Sequence, residues 1–278
     1  MTKSTAPIEV WKFSQGETQK VEDLLAVEEP LEIHLAFGPS NERQAKSISI
    51  TMRTPGQDFS LAIGFLFTEG IIQSIDQIQD IRYQTLSMDN IVLVEMEATV
   101  VIDFKKLERH FYTTSSCGVC GKASIDALQL NHQPQLIAGL PRVSATLIPQ
   151  LPLLLREQQS VFDHTGGIHA AALFNAKGEL LLLHEDVGRH NAVDKLIGAA
   201  LQQKAFPFQQ SIIVVSGRVS FELVQKSLMA NIPIMVAVGA PSSLAIQLAR
   251  EWGMTIIGFT RNNRFNVYCN KERVGKLD

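Results

Sequence analysis

With 278 residues, 45% of them hydrophobic and 19% charged, the chain is long enough to bury a full core without staples, as one large domain or two modest ones. Its 25 basic residues nearly balance 28 acidic ones, and a formal net charge of -3 offers no global field for nucleic acid or an anionic membrane, so neither is expected as a partner. Three cysteines make an odd and sparse set, unlike a secreted disulfide framework, and no apolar run is long enough to span a bilayer; the expectation is a soluble protein of a reducing cytoplasm.

From Leu31 to Phe104 short alternating runs predominate. Glu32 to Phe37, Ser47 to Met52, Asn90 to Met96 and Thr99 to Phe104 suit half-buried strands. Between them Asp58 is placed to cap a helix carrying Leu61, Ile63, Phe65 and Leu66, with Gly70 as its stop. Residues 1–112 therefore read as a β-rich α+β domain. A middle segment, 113–152, holds the Cys117-Gly-Val-Cys120 tetrad, a helix over Lys122 to Leu130, and a connector with four prolines, Pro134, Pro141, Pro149 and Pro152.

Residues 153–278 change rhythm. The apolar runs Leu180 to His184, Ser211 to Ser216, Ile234 to Val238 and Thr255 to Thr260 alternate with the helix-length segments Asn191 to Gln203, Phe221 to Ala230 and Ser243 to Trp252. That alternation predicts an α/β domain with a mostly parallel sheet covered on both faces. Helix starts are marked by Asn191 with Asp194, by Ser220, and by Pro241-Ser242-Ser243. The polar segments His184 to His190, Ser216 to Arg218, Gly239 to Ser243 and Gly258 to Arg264 follow the strands, which puts all four on one sheet edge. Open α/β sheets bind ligands at that edge. Helix N-termini there, with Arg189, Arg218, Arg261 and Arg264, suit a phosphorylated or nucleotide-like ligand. The bland alternative is that these are ordinary polar loops whose arginines pair with Glu185, Asp186 or Glu222.

The cysteine tetrad admits several chemistries. Small neighbours leave the thiols approachable, and a following helix N-terminus with Lys122, Lys105 or Lys106 favours thiolate, the form that attacks sulfane sulfur and holds it as a persulfide. A structural zinc site would need His164, His169, His184 or His190 to complete four ligands, and a dithiol exchanger would want the tetrad inside a βαβ unit. The shortage of zinc ligands favours the sulfur-carrying reading, with no resident metal. Cys269, in a strand-like run, reads as packing. His184 and His190 fit either a proton relay or simple backbone satisfaction.

Six segments in order, SSCGVCG, DHTGGIHAAALF, HEDVGRHNAVDKLIG, SGRVSFELVQKSLMANIPI, APSSLAIQLA and IGFTRNNRFNVY, with LAIGFLFTEGII upstream, strongly resemble the formate dehydrogenase accessory sulfurtransferase family (FdhD/NarQ). The resemblance implies a sulfurtransferase that takes sulfur from a cysteine desulfurase and delivers it to the bis-molybdopterin guanine dinucleotide form of the molybdenum cofactor, for formate dehydrogenase. By the same resemblance Cys117 matches the persulfide-bearing cysteine and Cys120 its partner in relay. The family's nucleotide-contacting segment falls on Phe259, Thr260, Arg261, Asn262, Asn263 and Arg264, with GDP as a natural mimic of the cofactor. The implied fold of the second half is cytidine-deaminase-like, and a homodimer is expected. The deaminase zinc signature, H-x-E followed by P-C-x-x-C, is missing from the sequence, so zinc hydrolysis is not implied.

Overall fold

The computed structural model describes residues 4–85, 88–102, 134–204 and 208–275. The Cys117 to Cys120 tetrad, the helix expected over Lys122 to Leu130 and the expected boundary at 112 lie outside them.

The chain opens with a hairpin of β1 (Thr5–Ser14) and β2 (Glu17–Ala26). Its turn is Gln15-Gly16, both at positive φ (52° and 85°), the handedness that matches strand twist. A four-stranded sheet follows, in the order β4-β3-β6-β5, from β3 (Glu29–Phe37), β4 (Gln44–Arg53), β5 (Ile78–Thr85) and β6 (Met88–Met96). Alternation along β3 sends Leu31, Ile33 and Leu35 inward, where they meet Val92 and Val94 of β6. The helix α1 (Asp58–Thr68) covers that face with Leu61, Ile63 and Leu66. Two expectations need correction. Asp58 is the first helical residue and does not cap α1, because its carboxylate is held by Arg53 in a two-point bond of 3.0 and 2.9 Å. Thr99 to Ile102 form no strand; the chain turns there, with Val100 N–H donating to the Glu97 carbonyl at 3.0 Å.

The second lobe is built on six strands in the order β13-β12-β11-β10-β8-β9. They are β8 (His169–Asn175), β9 (Leu180–Asp186), β10 (Ser211–Val215), β11 (Ile234–Ala237), β12 (Thr255–Arg261) and β13 (Arg264–Cys269). β10, β11 and β12 pair in parallel, whereas β8 pairs antiparallel with both β10 and β9, and β13 pairs antiparallel with β12. The sheet is therefore mixed. Because β8 reverses direction twice over, β9 still points the same way as β10, β11 and β12. The four expected runs thus end on one edge, and β8 begins there.

Both faces of this sheet are covered. Along β10, Ile212 and Val214 face α2 (Leu151–Glu157), while Ile213 and Val215 face α4 (Arg189–Gln203), α5 (Phe221–Met229) and α6 (Ser243–Glu251). Two-sided burial explains why these strands read as unbroken apolar runs. A short helix, α3 (Ser160–Thr165), follows α2 and rests against β2. The proline-containing stretch is anchored at its far end as well: β7 (Val143–Ser144) pairs with β14 (Val274–Gly275), and the buried Arg273 donates to the carbonyls of Leu140, Ile137 and Gly253 at 2.7, 2.9 and 2.6 Å.

The lobes meet where α1 crosses α4, backbone against backbone. A Cβ on Gly198 would lie 1.9 Å from the Ser60 carbonyl oxygen, and one on Gly64 would lie 1.8 Å from that of Asp194, so only glycine allows this approach. Buried ion pairs brace the crossing. Lys195 meets Asp186 at 2.6 Å and donates to the Thr54 carbonyl at 2.7 Å, and Lys226 meets Asp194 at 2.9 Å and Glu69 at 3.1 Å.

Candidate functional site

The loops on the shared edge are stitched together by their backbones. Gly239 N–H donates to the Gly217 carbonyl, Phe259 N–H to the Gly239 carbonyl and Val219 N–H to the Ala240 carbonyl, each at 3.1 Å. Ser216 joins the start of β8 to the end of β10: its N–H donates to the Ala170 carbonyl at 3.0 Å and its hydroxyl accepts from Ala170 N–H at 2.9 Å. A Cβ on Gly239 would sit 2.9 Å from the Gly217 carbonyl oxygen, so the close stacking of these loops requires glycine there. At the end of β12 the register slips between Gly258 and Arg261, with Phe259 at φ 53°, and Asn262 and Asn263 close the hairpin at φ 50° and 57°. Both central residues of this turn are left-handed, a geometry that asparagine tolerates well.

Between this edge and the α2–α3 segment lies a cavity of about 650 Å³. Its walls are largely apolar, from Pro152, Leu155, Phe162, Ile168 and Val238, and its polar groups come from Gln159, His169, Ser216 and Thr260 to Asn263, with Arg156 also lining it. A largely apolar cleft with a few convergent polar groups is what a small-molecule site requires. Gln159 is 2% exposed and Thr260 1% exposed, and among the described residues neither Gln159 Nε2 nor Thr260 Oγ1 has a hydrogen-bond partner. Burial pushes the His169 imidazole below its usual pKa, and the nearby Arg189 and His190 charges push it further, so the ring is neutral near neutral pH.

The edge thus gathers some of the expected residues and not others. Thr260, Arg261, Asn262 and Asn263 line the cavity; Phe259, Arg264, Arg218 and Arg189 do not. Arg189 begins α4 close to His169, Arg218 is exposed on the next loop, and Arg264 is exposed at the start of β13. The acidic residues suspected of neutralising these arginines have other partners. Glu185 caps α3 by accepting from Val161 and Phe162 N–H, both at 2.9 Å; Asp186 takes Lys195; and Glu222 takes His190 at 2.8 Å. Among the described residues, none of the four arginines forms an ion pair. The helix ends, by contrast, are poorer anion seats than expected. Asp186 already accepts from Gly188 N–H at the start of α4 at 2.8 Å, and Ser242 accepts from Ala245 N–H at the start of α6 at 3.3 Å.

The histidines separate. His184 is half-buried on β9 beside Lys195 and is pushed down to about 4, whereas His190 bridges α4 to Ser220 and Glu222, so they form no relay with each other. Among the described residues no cluster of acidic, histidine or cysteine side chains has metal-holding geometry. Cys269 packs as expected: it is buried, its thiol donates to the Met254 carbonyl, and burial raises its pKa. Gln159, Phe162 and Arg156 were missed by sequence reasoning; the spacing of Leu151, Leu154 and Leu155 was the available signal that a helix, and so a cavity wall, begins in that stretch.

Fold and site define a two-lobed α/β protein with a ligand-sized cavity at the carboxyl edge of its larger sheet. Residues 26–275 match the model of the FdhD/NarQ family, and the chain belongs to that family. It is 47% identical to the sulfur carrier protein FdhD of Streptomyces avermitilis, over 99% of this chain and 97% of that one, and 43% identical to the protein of the same name from Sulfurisphaera tokodaii, over 96% and 98%. A crystal structure from Desulfotalea psychrophila, described as a formate dehydrogenase accessory protein, is similar with a TM-score of 0.73 at 25% identity, over 98% of this chain and all of that one. No described helix is long and apolar enough to cross a membrane.

Proposed function

We propose that this chain is a cytoplasmic sulfur carrier, working as a homodimer, that serves formate dehydrogenase by sulfurating its molybdenum cofactor. The Cys117 thiolate attacks the terminal sulfur of a cysteine desulfurase persulfide; the desulfurase cysteine leaves as thiolate, and Cys117 keeps the sulfur as a persulfide. Cys120 assists in the relay. The acceptor is the bis-molybdopterin guanine dinucleotide cofactor, which enters as substrate.

The observation that carries the acceptor half is the edge cavity, where Gln159 Nε2 and Thr260 Oγ1 have no hydrogen-bond partner among the described residues and whose lining includes Arg261. Its apolar walls suit a flat heterocycle, and a guanidinium that no carboxylate among the described residues neutralises suits a diphosphate. The donor half is supported by relatives that carry the name sulfur carrier protein along nearly their whole length.

Intact-mass spectrometry after incubation with a cysteine desulfurase and cysteine tests the reading. The expected result is one added sulfur atom, removed by thiol reductant and lost in Cys117→Ala. A Cys117–Cys120 disulfide without added sulfur would point to dithiol exchange, and one bound zinc without added sulfur to a structural site; either would overturn it.

A further inference from the structure

The β1–β2 hairpin belongs to neither lobe. Among the described residues it is a two-stranded sheet of its own, paired without a break from Thr5 opposite Ala26 to Ser14 opposite Glu17. At about 3.3 Å per residue the ribbon is roughly 33 Å long. α3 rests against β2, yet toward the turn Trp11 is 64% exposed and Phe13 76%. Residues two apart on a strand share a face, so the two rings stand next to each other. A lone ribbon gains little from its own pairing, and large aromatic side chains left in water on it mark a contact surface.

Charge narrows the choice of partner. Glu9 and Lys20 pair with each other at 2.7 Å, which leaves Glu17, Glu22 and Asp23 against Lys12. The arm is therefore apolar and acidic, and the surface that receives it should be apolar and basic. This chain carries such a surface. Leu153 and Val238 stand exposed among the residues that line the edge cavity. Arg218 lies against Gly239, next to Val238, and Arg264 is exposed at the start of β13. Among the described residues no ion pair holds either arginine.

We propose that the hairpin is a dimer arm: Trp11 and Phe13 of each copy seat on the apolar rim around Leu153 and Val238 of the other, while the arm's carboxylates meet Arg218 and Arg264. This rests on the homodimer reading. A two-fold axis makes each such contact twice, so one arm and one receiving surface per chain close the pair and leave neither open to a third copy. A ribbon face of about 33 Å by 10 Å covers roughly 300 Å² on each side of a contact. Two contacts then bury about 1,200 Å², the lower end of what a stable interface needs. Each copy thereby covers the open side of the other's cavity.

Sedimentation equilibrium of the full-length protein tests the arm. Wild type is expected to be a dimer. Trp11→Ser with Phe13→Ser should raise the dimer dissociation constant about hundredfold at an unchanged melting temperature. Glu17→Lys with Glu22→Lys should weaken the dimer about tenfold, and so should Arg218→Glu with Arg264→Glu. Mixing these two charge variants sets lysine opposite glutamate at one contact and the native pair at the other, and should restore wild-type affinity, which damaged folding could not do. If wild type is a dimer and the Trp11, Phe13 variant keeps its dissociation constant, or if mixing restores nothing, the arm-to-rim contact is wrong while the homodimer reading stands. If wild type is a monomer throughout, the homodimer reading fails and this inference with it.

Discussion

The junction between the lobes and the free edge of the larger sheet are built from the same kinds of side chain put to opposite use. At the junction each buried charge has its counter-charge close by: Arg53 with Asp58, Lys195 with Asp186, Lys226 with Asp194 and Glu69. At the edge, among the described residues, Gln159 Nε2 and Thr260 Oγ1 are buried without hydrogen-bond partners, and no ion pair holds Arg261. A closed network holds geometry, and an open one has affinity left over for a ligand. Substitutions should therefore reduce stability at the junction and reduce binding at the edge.

The largest effect is expected at Lys226. Burial alone lowers an ammonium pKa, but here the Asp194 and Glu69 carboxylates outweigh it and the pKa is raised. Lys226→Met leaves Asp194 buried with the Thr68 hydroxyl as its remaining hydrogen-bond donor, at 2.8 Å, and should cost about 3–5 kcal/mol in urea unfolding. A Lys226→Met, Asp194→Leu double variant should recover much of that loss, which separates a stranded charge from lost packing.

Next comes pH. The unfolded His184 takes a proton near 6.5, but the folded ring resists until about 4, because burial and Lys195 disfavour its charge. A folded pKa below the unfolded one leaves stability level above about pH 6.5 and lowers it as pH falls toward 4. The expected loss across that window is about 3 kcal/mol, read from melting temperature against pH and flattened in His184→Gln.

Arg261→Ala gives the smallest effect and inverts the pattern. It should weaken GDP binding about tenfold, while urea unfolding changes by no more than about 0.5 kcal/mol. Equal GDP affinity in calorimetry would remove Arg261 from the ligand edge.

The same contrast explains what could be read from the residues alone. β10, β11 and β12 were legible because burial on both faces leaves unbroken runs such as Ser211 to Val215. β8 was not, since its antiparallel insertion between β9 and β10 is a matter of tertiary pairing. β5 was missed because Ile78, Ile81 and Tyr83 give too weak an alternation. Pro149 and Pro152 looked like connector residues, yet both are tolerated in the first turns of helical segments, and Pro152 sits on the buried side of α2. Gln159 carried no signal at all: only its burial in the wall of the cavity distinguishes it. The one-edge argument worked because helix-alternating strands share a direction, whatever else enters the sheet.

The most direct measurement is formate dehydrogenase activity in cells lacking their own sulfur carrier and supplied with this chain. Wild type is predicted to restore activity and Cys117→Ala to abolish it at equal protein level. Full activity with Cys117→Ala would contradict the account, because no sulfur would then pass through the thiol on which it rests.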